Sequence, residues 1–178
     1  MREILLTILT ISAMGWVTAN AAWDPNEVDE YHEKAQVALN AFKEKDPKIE
    51  TFIAQAAGYV VIPTVGKGGI GIGGARGKGV LYEDGAVTAI VTLTQLSFGL
   101  QLGGQVYSEF IFFEDDATLE TFKQGNYELN AQASAVAVTA GASADAAFKD
   151  GMAIFTQAKG GLMYEAAIGG QKFKVEAK

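Results

Sequence analysis

Residues Ile70–Tyr82 read Ile-Gly-Ile-Gly-Gly-Ala-Arg-Gly-Lys-Gly-Val-Leu-Tyr, and the alternation of these residues decides the fold class. Successive side chains of a strand point to opposite faces of its sheet. One face of this stretch would carry almost only glycine, whereas the other would carry isoleucine, arginine, lysine and valine. A bare face costs conformational entropy, so it indicates either a closely packed neighbouring backbone or room for an apolar guest. The high packing density of protein interiors favours close packing.

The same period of two extends over most of the chain after Gly58. It predicts strands at Tyr59–Pro63, Ile70–Tyr82, Ala86–Leu96, Phe98–Phe113 (one or two strands), Ala153–Ala158 and Gly161–Val175. Glu83-Asp84-Gly85 is typical of a tight turn. Asp116 is expected to cap a short helix over Ala117–Gln124 that ends at Gly125. The stretch Tyr127–Ser143 alternates small residues, as in a further strand.

Before Gly58 the apolar residues recur at helical spacing. Asp24-Pro25 and Asp46-Pro47 each place a capping acid before a proline, which is typical of a helix start. Gly58 is placed to end the second helix. The sequence therefore predicts an α+β fold, with two N-terminal amphipathic helices packed on an antiparallel, glycine-rich barrel-like or sandwich β structure.

The first 21 residues have the pattern of a secretory signal peptide. Arg2 is followed by a short apolar run, and Ala19-Asn20-Ala21 supplies small residues for cleavage before Ala22. The run is shorter than the roughly 20 apolar residues that a membrane span needs. We expect residues 1–21 to be removed and residues 22–178 to form one domain, with a helical part at 24–57 and a β-rich part at 58–178. The absence of cysteine rules out a lipoprotein anchor, so the expected location is the periplasm or the exterior.

Composition excludes several classes of function. The net charge of −7 and the pI of about 4.7 argue against nucleic-acid binding, which needs a basic surface. With no cysteine and only His32, which is expected to be a solvated surface residue, the chain offers no Cys–His nucleophile and no histidine-rich metal site. Gly69–Gly74 matches a dinucleotide fingerprint by letter, but a strand rather than a helix follows it. We expect no catalytic residues, no metal and no cofactor.

Positive charge beside glycine gives one hint of binding. Lys67, Arg76 and Lys78 lie in one glycine-rich stretch of an acidic protein. Backbone amides together with cations suit an anion such as a phosphate headgroup, so these three residues are the candidate lipid headgroup site. The alternative is that they are solubilising charges on an edge strand.

Three ordered segments resemble the SYLF family of lipid-binding domains. Its opening is similar to Ala57–Pro63, Gly66–Gly74 and Gly77–Val80, its middle to Leu93–Glu109 (Leu-Thr-Gln-Leu-Ser-Phe-Gly-Leu-Gln-Leu-Gly-Gly-Gln-Val-Tyr-Ser-Glu), and its end to Lys159–Gly170 (Lys-Gly-Gly-Leu-Met-Tyr-Glu-Ala-Ala-Ile-Gly-Gly). The resemblance covers roughly Ala35 to the C-terminus. It implies a lipid-binding domain without enzymatic activity, in an exported bacterial-type member.

The resemblance leaves the partner open. Some eukaryotic members of the family bind phosphoinositides or actin, but this chain has an acidic helix in place of their basic N-terminal segment, and an exported protein is not expected to meet actin. The expected partner is a lipid or a membrane surface, with ligand and protein partner unknown. The alternatives are a cell-envelope structural or protein-interaction module and an uncharacterised hydrolase.

Overall fold

The computed structural model describes residues 24–125, 127–129, 136–137, 142–144 and 146–178. The fold is α+β, and its helices are α1 (Pro25–Lys45), α2 (Ile49–Gln55) and α3 (Asp116–Lys123). Its strands are β1 (Gly58–Glu83), β2 (Ala86–Phe113), β3 (Tyr127–Leu129), β4 (Val136–Ala137) and β5 (Met152–Ala177). The predicted signal peptide lies outside the described residues, as does most of the predicted strand Tyr127–Ser143.

The strands form one sheet in the order β1-β2-β5-β3, with β4 also pairing with β5. Neighbours run antiparallel, except that the two-residue β4 runs parallel to β5. The order has two ends, β1 and β3, so the sheet that the described strands form is open. The barrel-like alternative is therefore wrong as a closed arrangement.

The predicted division into short strands is also wrong. Each of β1, β2 and β5 is one continuous strand that covers two of the predicted strands. β1, β2 and β5 contain 26, 28 and 26 residues. The glycine-rich segments stay in the sheet because their neighbours continue the ladder, as at Gly68↔Gly104 and Gly69↔Gly103. Within this glycine-rich segment the register of the ladder shifts between Ile70 and Ile72, where Gly71 takes a φ of +72° that suits glycine.

The long strands bend, so that two halves of the sheet face each other. A Cβ added to Gly79 would lie 2.0 Å from the Val61 carbonyl oxygen, and one added to Gly77 would lie 2.7 Å from Ile62 Cγ2. Close packing is therefore confirmed at these two glycines. Between the halves lies an inner core that includes Val60, Ile62, Leu81, Val91, Leu93, Ile111, Ile154 and Phe173.

The helices cover part of the outer face of the sheet. Phe42 of α1 lies 4.6 Å from Phe110 between ring centroids, and Phe52 of α2 lies 5.9 Å from Phe112. α1 starts as predicted, with the Asp24 side chain accepting from the Asn26 amide. α2 ends at Gln55, however, and Gly58 opens β1 instead of ending the helix.

α3 caps one end of the inner core. Its N-cap is Asp115, not Asp116 as predicted, because Asp115 has the extended backbone and its Oδ1 accepts from the Thr118 amide at 2.7 Å. Phe122 of this helix packs on Phe113 at 4.8 Å between ring centroids.

Candidate functional site

An apolar patch covers the outer face of the sheet at the bend. β1 and β2 pair here as Ile70↔Leu102, Ile72↔Phe98, Gly74↔Leu96 and Gly66↔Val106, so these side chains share a face. All six apolar members are exposed: Ile70 80%, Ile72 62%, Leu102 61%, Leu96 57%, Phe98 55% and Val106 39%. A contiguous exposed patch of this kind marks an interaction site, whereas single exposed apolar residues are ordinary.

The inner face at the bend carries small and polar residues instead. Ser97, which lies between Leu96 and Phe98 of the apolar patch, is 1% exposed, and Ala75 is 5% exposed. The usual polarity of a sheet, apolar inside and polar outside, is therefore reversed at the bend. The reversal follows from the alternation in Ile70–Tyr82, which places the small residues on the inner face and the larger ones on the outer face.

Positive charges adjoin the apolar patch on the same outer face. The row next to Gly74↔Leu96 pairs Arg76 with Thr94, and Thr94 with Lys172. The following row pairs Lys78 with Thr92, and Thr92 with Lys174. Since residues two apart on a strand share a face, the basic rows continue the apolar patch without a break.

A groove of about 490 Å³ lies between α1 and β1 beside these rows. Its lining, called the cationic groove below, consists of Tyr31, Lys34, Pro63, Thr64, Arg76, Gly77 and Lys78. Lys159 also reaches this groove, since its Nζ donates to Thr64 Oγ1 at 3.4 Å. The groove thus gathers positive charge on a protein whose net charge is −7.

Two of the groove's lysines are held by acids of α1. Lys78 Nζ forms an ion pair with Glu27 at 2.5 Å, and Lys34 Nζ forms one with Glu30 at 2.5 Å. Each acid raises the pKa of its lysine, chiefly by accepting a hydrogen bond from it. Both ammonium groups also lie over the Tyr31 ring, at 6.0 and 5.6 Å from its centroid.

The structure brings together two of the three predicted headgroup residues. Arg76 and Lys78 line the cationic groove. Lys67 pairs with Gln105 on the inner side of the sheet, where its charge acts on Glu109. The sequence could have predicted this separation. Lys67 and Arg76 are nine positions apart in one strand, and residues an odd number of positions apart lie on opposite faces of a sheet.

Sequence reasoning missed Lys34 and Thr64 as parts of the groove. They come from α1 and β1, and no local pattern in the chain links these two positions. Lys159 of β5 stands out in the sequence as a cation beside Gly160 and Gly161, but no local pattern predicts that it reaches Thr64. Sequence reasoning also missed that the apolar patch is uncovered. The alternation indicated which residues share a face, but not whether a helix lies over that face.

Glu109 is a buried carboxyl group inside the folded sheet. It is 0% exposed, and its Oε2 accepts from Gln171 Nε2 at 3.0 Å. Its Oε1 has no hydrogen-bond partner among the described residues. Burial raises the pKa of Glu109 to about 7, although the hydrogen bond from Gln171 and the charge of Lys67 act in the opposite direction.

His32 is not the solvated surface residue that the sequence predicted. It is half-buried, and its Nδ1 lies 3.0 Å from the Tyr82 hydroxyl. Gln36 Nε2 donates a hydrogen bond to the same hydroxyl at 3.2 Å. Histidine here links α1 to β1, since the face of α1 that carries His32 turns toward the sheet. In the part of the chain that the structure describes, no cluster of His, Cys, Asp and Glu could hold a metal ion.

A second cavity, of about 680 Å³, lies beside α2. Its lining includes Lys48, Phe52, Glu114 and Phe148. One positive and one negative side chain balance each other there, so this cavity has no preference for an anion. None of the helices among the described residues has the length and apolar character required to span a bilayer.

Comparison with known proteins finds a family that the second half of the chain resembles. Residues 94–178 match the Ysc84 family, described as "Las17-binding protein actin regulator". These residues comprise most of β2 together with α3, β3, β4 and β5, and so include Phe98 and Leu102. The resemblance to the SYLF family is thereby confirmed over residues 94–178, which are slightly less than half of the chain.

One curated relative is the Beta cell expansion factor A of Aeromonas veronii. It is 32% identical to this chain over 75 residues, which is 42% of this chain and 29% of that protein. The chain therefore matches less than a third of the length of this relative.

Proposed function

We propose that this protein binds a lipid membrane surface without catalysing a reaction. The apolar patch enters the lipid, and the cationic groove contacts phosphate headgroups through Arg76 and Lys78. The observation that carries this proposal is the continuity of six exposed apolar side chains with two basic rows on one sheet face. The similarity of residues 94–178 to the SYLF family supports it, because that resemblance implies lipid binding.

Hydrophobic burial supplies the main part of the binding free energy. Removing a large apolar side chain fully from water stabilises by about 1.5–3 kcal/mol. Several partly exposed side chains that enter the interface together would contribute several times that amount, since surface binding scales with the buried apolar area.

Charge adds selectivity more than affinity. The net charge of −7 repels an anionic membrane at long range, whereas the basic rows attract phosphate groups at short range. We therefore expect moderate binding to neutral vesicles and a salt-dependent increase with a small fraction of anionic lipid.

The location and partner follow from the same reasoning. Residues 1–21 are proposed to direct export, so the membrane would be one that the periplasm or the exterior exposes. No actin contact is proposed for an exported protein, although the matching family is described as an actin regulator. Lys67 is retained as a headgroup residue only for a lipid that reaches the inner side of the sheet.

Vesicle co-sedimentation tests the proposal. The double variant Phe98→Ser/Leu102→Ser is expected to lose at least about ten-fold in affinity for phosphatidylcholine–phosphatidylglycerol vesicles, because two patch side chains no longer enter lipid. Val37→Ser is the matched control, since Val37 is 70% exposed but belongs to α1 and not to the patch. Equal binding by wild type and both variants would contradict the proposal.

A cell-envelope structural or protein-interaction module is the second candidate, because an exposed apolar patch also suits a protein partner. In that case the protein would not co-sediment with vesicles of any composition. A concentration-dependent oligomer that Phe98→Ser/Leu102→Ser abolishes would then identify a second copy as the partner.

A further inference from the structure

We propose that Glu27 occupies the cationic groove as an internal anion, which an external phosphate group must displace from Lys78. This inference rests on the proposed function, because it concerns access to the same headgroup site. It makes the first turns of α1 a built-in competitor that sets how much anionic charge the protein requires before it binds.

Glu27 is held in position by the start of α1. The helix begins at Pro25 behind the Asp24 cap, and this places Glu27 in its first turn. Its Oε1 lies 2.5 Å from Lys78 Nζ, and the side chains of Glu27 and Lys78 are 35% and 29% exposed. Tyr31 follows four residues later and lies beneath the same ammonium group. The carboxylate thus holds the position at which a phosphate oxygen would meet Lys78.

The contact is suited to competition because it is partly exposed. A fully buried pair would be too costly to separate, whereas an exposed pair is held only weakly and a multivalent anion exchanges with it. Arg76 is exposed in the same groove. A phosphate group therefore gains contacts with Arg76 that the single carboxylate of Glu27 does not make.

The other acids at the start of α1 provide a matched control. Glu33 is exposed on the same helix, and no ion pair of Glu33 occurs among the described residues. Glu33→Gln and Glu27→Gln change the net charge equally, so any difference between them reports the local contact with Lys78 and not the overall field.

The experiment compares these variants on vesicles with and without phosphatidylglycerol. Glu27→Gln is expected to bind phosphatidylglycerol vesicles up to about five-fold more tightly than Glu33→Gln, the factor that corresponds to about 1 kcal/mol. Phosphatidylcholine vesicles should not distinguish the two variants. In a Lys78→Gln background the advantage of Glu27→Gln should disappear, because the cation for which Glu27 competes is gone. Equal affinities, or an advantage that persists without Lys78, would overturn the inference.

A soluble probe separates this inference from the proposed function. Inorganic pyrophosphate offers the same phosphate chemistry without a membrane, and calorimetric titration measures its binding. If vesicles bind to no variant but Glu27→Gln binds pyrophosphate more tightly than Glu33→Gln, the membrane proposal fails and the internal anion stands. If pyrophosphate binds equally to both variants, or to neither, the internal anion is refuted. Glu27→Asp, which keeps the charge but shortens the side chain, should fall between wild type and Glu27→Gln.

Discussion

Phe98 and Phe110 lie on the same face of the same strand, yet one is 55% exposed and the other is 0% exposed. The difference is the cover above them, because Phe42 of α1 packs on Phe110 and no described helix packs on Phe98. About 40 Å of strand separates the two phenylalanines. α1 spans about 30 Å at the rise of a helix and therefore covers only part of the face. The outer face is apolar at both phenylalanines, and its apolar side chains are exposed only where no described helix lies over them.

The largest expected effect separates these two phenylalanines directly. Phe110→Ala should lower the free energy of unfolding by about 3–5 kcal/mol, because it leaves a cavity under α1. Phe98→Ala should change it by no more than about 0.5 kcal/mol, as at an ordinary surface position. Denaturant unfolding of both variants measures the contrast. Similar losses in the two variants would mean that the patch is covered in solution.

The buried Glu109 makes the stability of the folded protein depend on pH, which an exposed carboxyl group at the surface of the bend would not do. Its pKa is raised from 4.5 to about 7, so its ionisation disfavours the folded state, and stability falls as the pH rises from about 4.5 to 7. At about 1.4 kcal/mol per pKa unit, the loss is on the order of 3 kcal/mol.

Glu109→Gln should therefore be more stable than wild type at pH 8 and equal to it near pH 4. Asp46 and Glu83 have lowered pKa values and act in the opposite direction, so the informative quantity is the difference between wild type and variant. Glu114→Gln, at an exposed position, serves as control. A difference that does not vary with pH would mean that Glu109 is hydrated.

The smallest of the stability effects compares two glycines of β1. Gly79→Ala should lower the free energy of unfolding by about 1–3 kcal/mol, since its Cβ would meet the Val61 carbonyl oxygen at 2.0 Å. A Cβ at Gly66 would meet nothing within 4 Å, so Gly66→Ala should be neutral or slightly stabilising. Thermal melting of the pair measures the cost of the close approach, and equal melting temperatures would contradict it.

Local patterns in the sequence were sufficient for the start of α1, for the turn at Asp84 and Gly85, whose φ values are +49° and +77°, and for the face that each β1 residue occupies. They were not sufficient for the length of the strands. The chain continues through Gly68 and Gly69 because Gly103 and Gly104 of β2 pair with them, and no local propensity reveals that pairing.

The candidate site was predictable only in part, for the same reason. Arg76 and Lys78 share a face by parity, but Lys34 reaches them from α1 and Lys159 from β5. Exposure of the patch depends on where α1 ends above the sheet, which is a property of tertiary packing.

The central claim is that the apolar patch, and not another exposed apolar residue, enters the membrane. Because the chain contains no cysteine, a single cysteine at Leu102 or at Val37 can carry an environment-sensitive fluorophore such as NBD. With phosphatidylcholine–phosphatidylglycerol vesicles, the label at position 102 is predicted to shift to shorter wavelength and brighten, while the label at position 37 stays as it is in water. No change at position 102, or equal changes at both positions, would contradict the account.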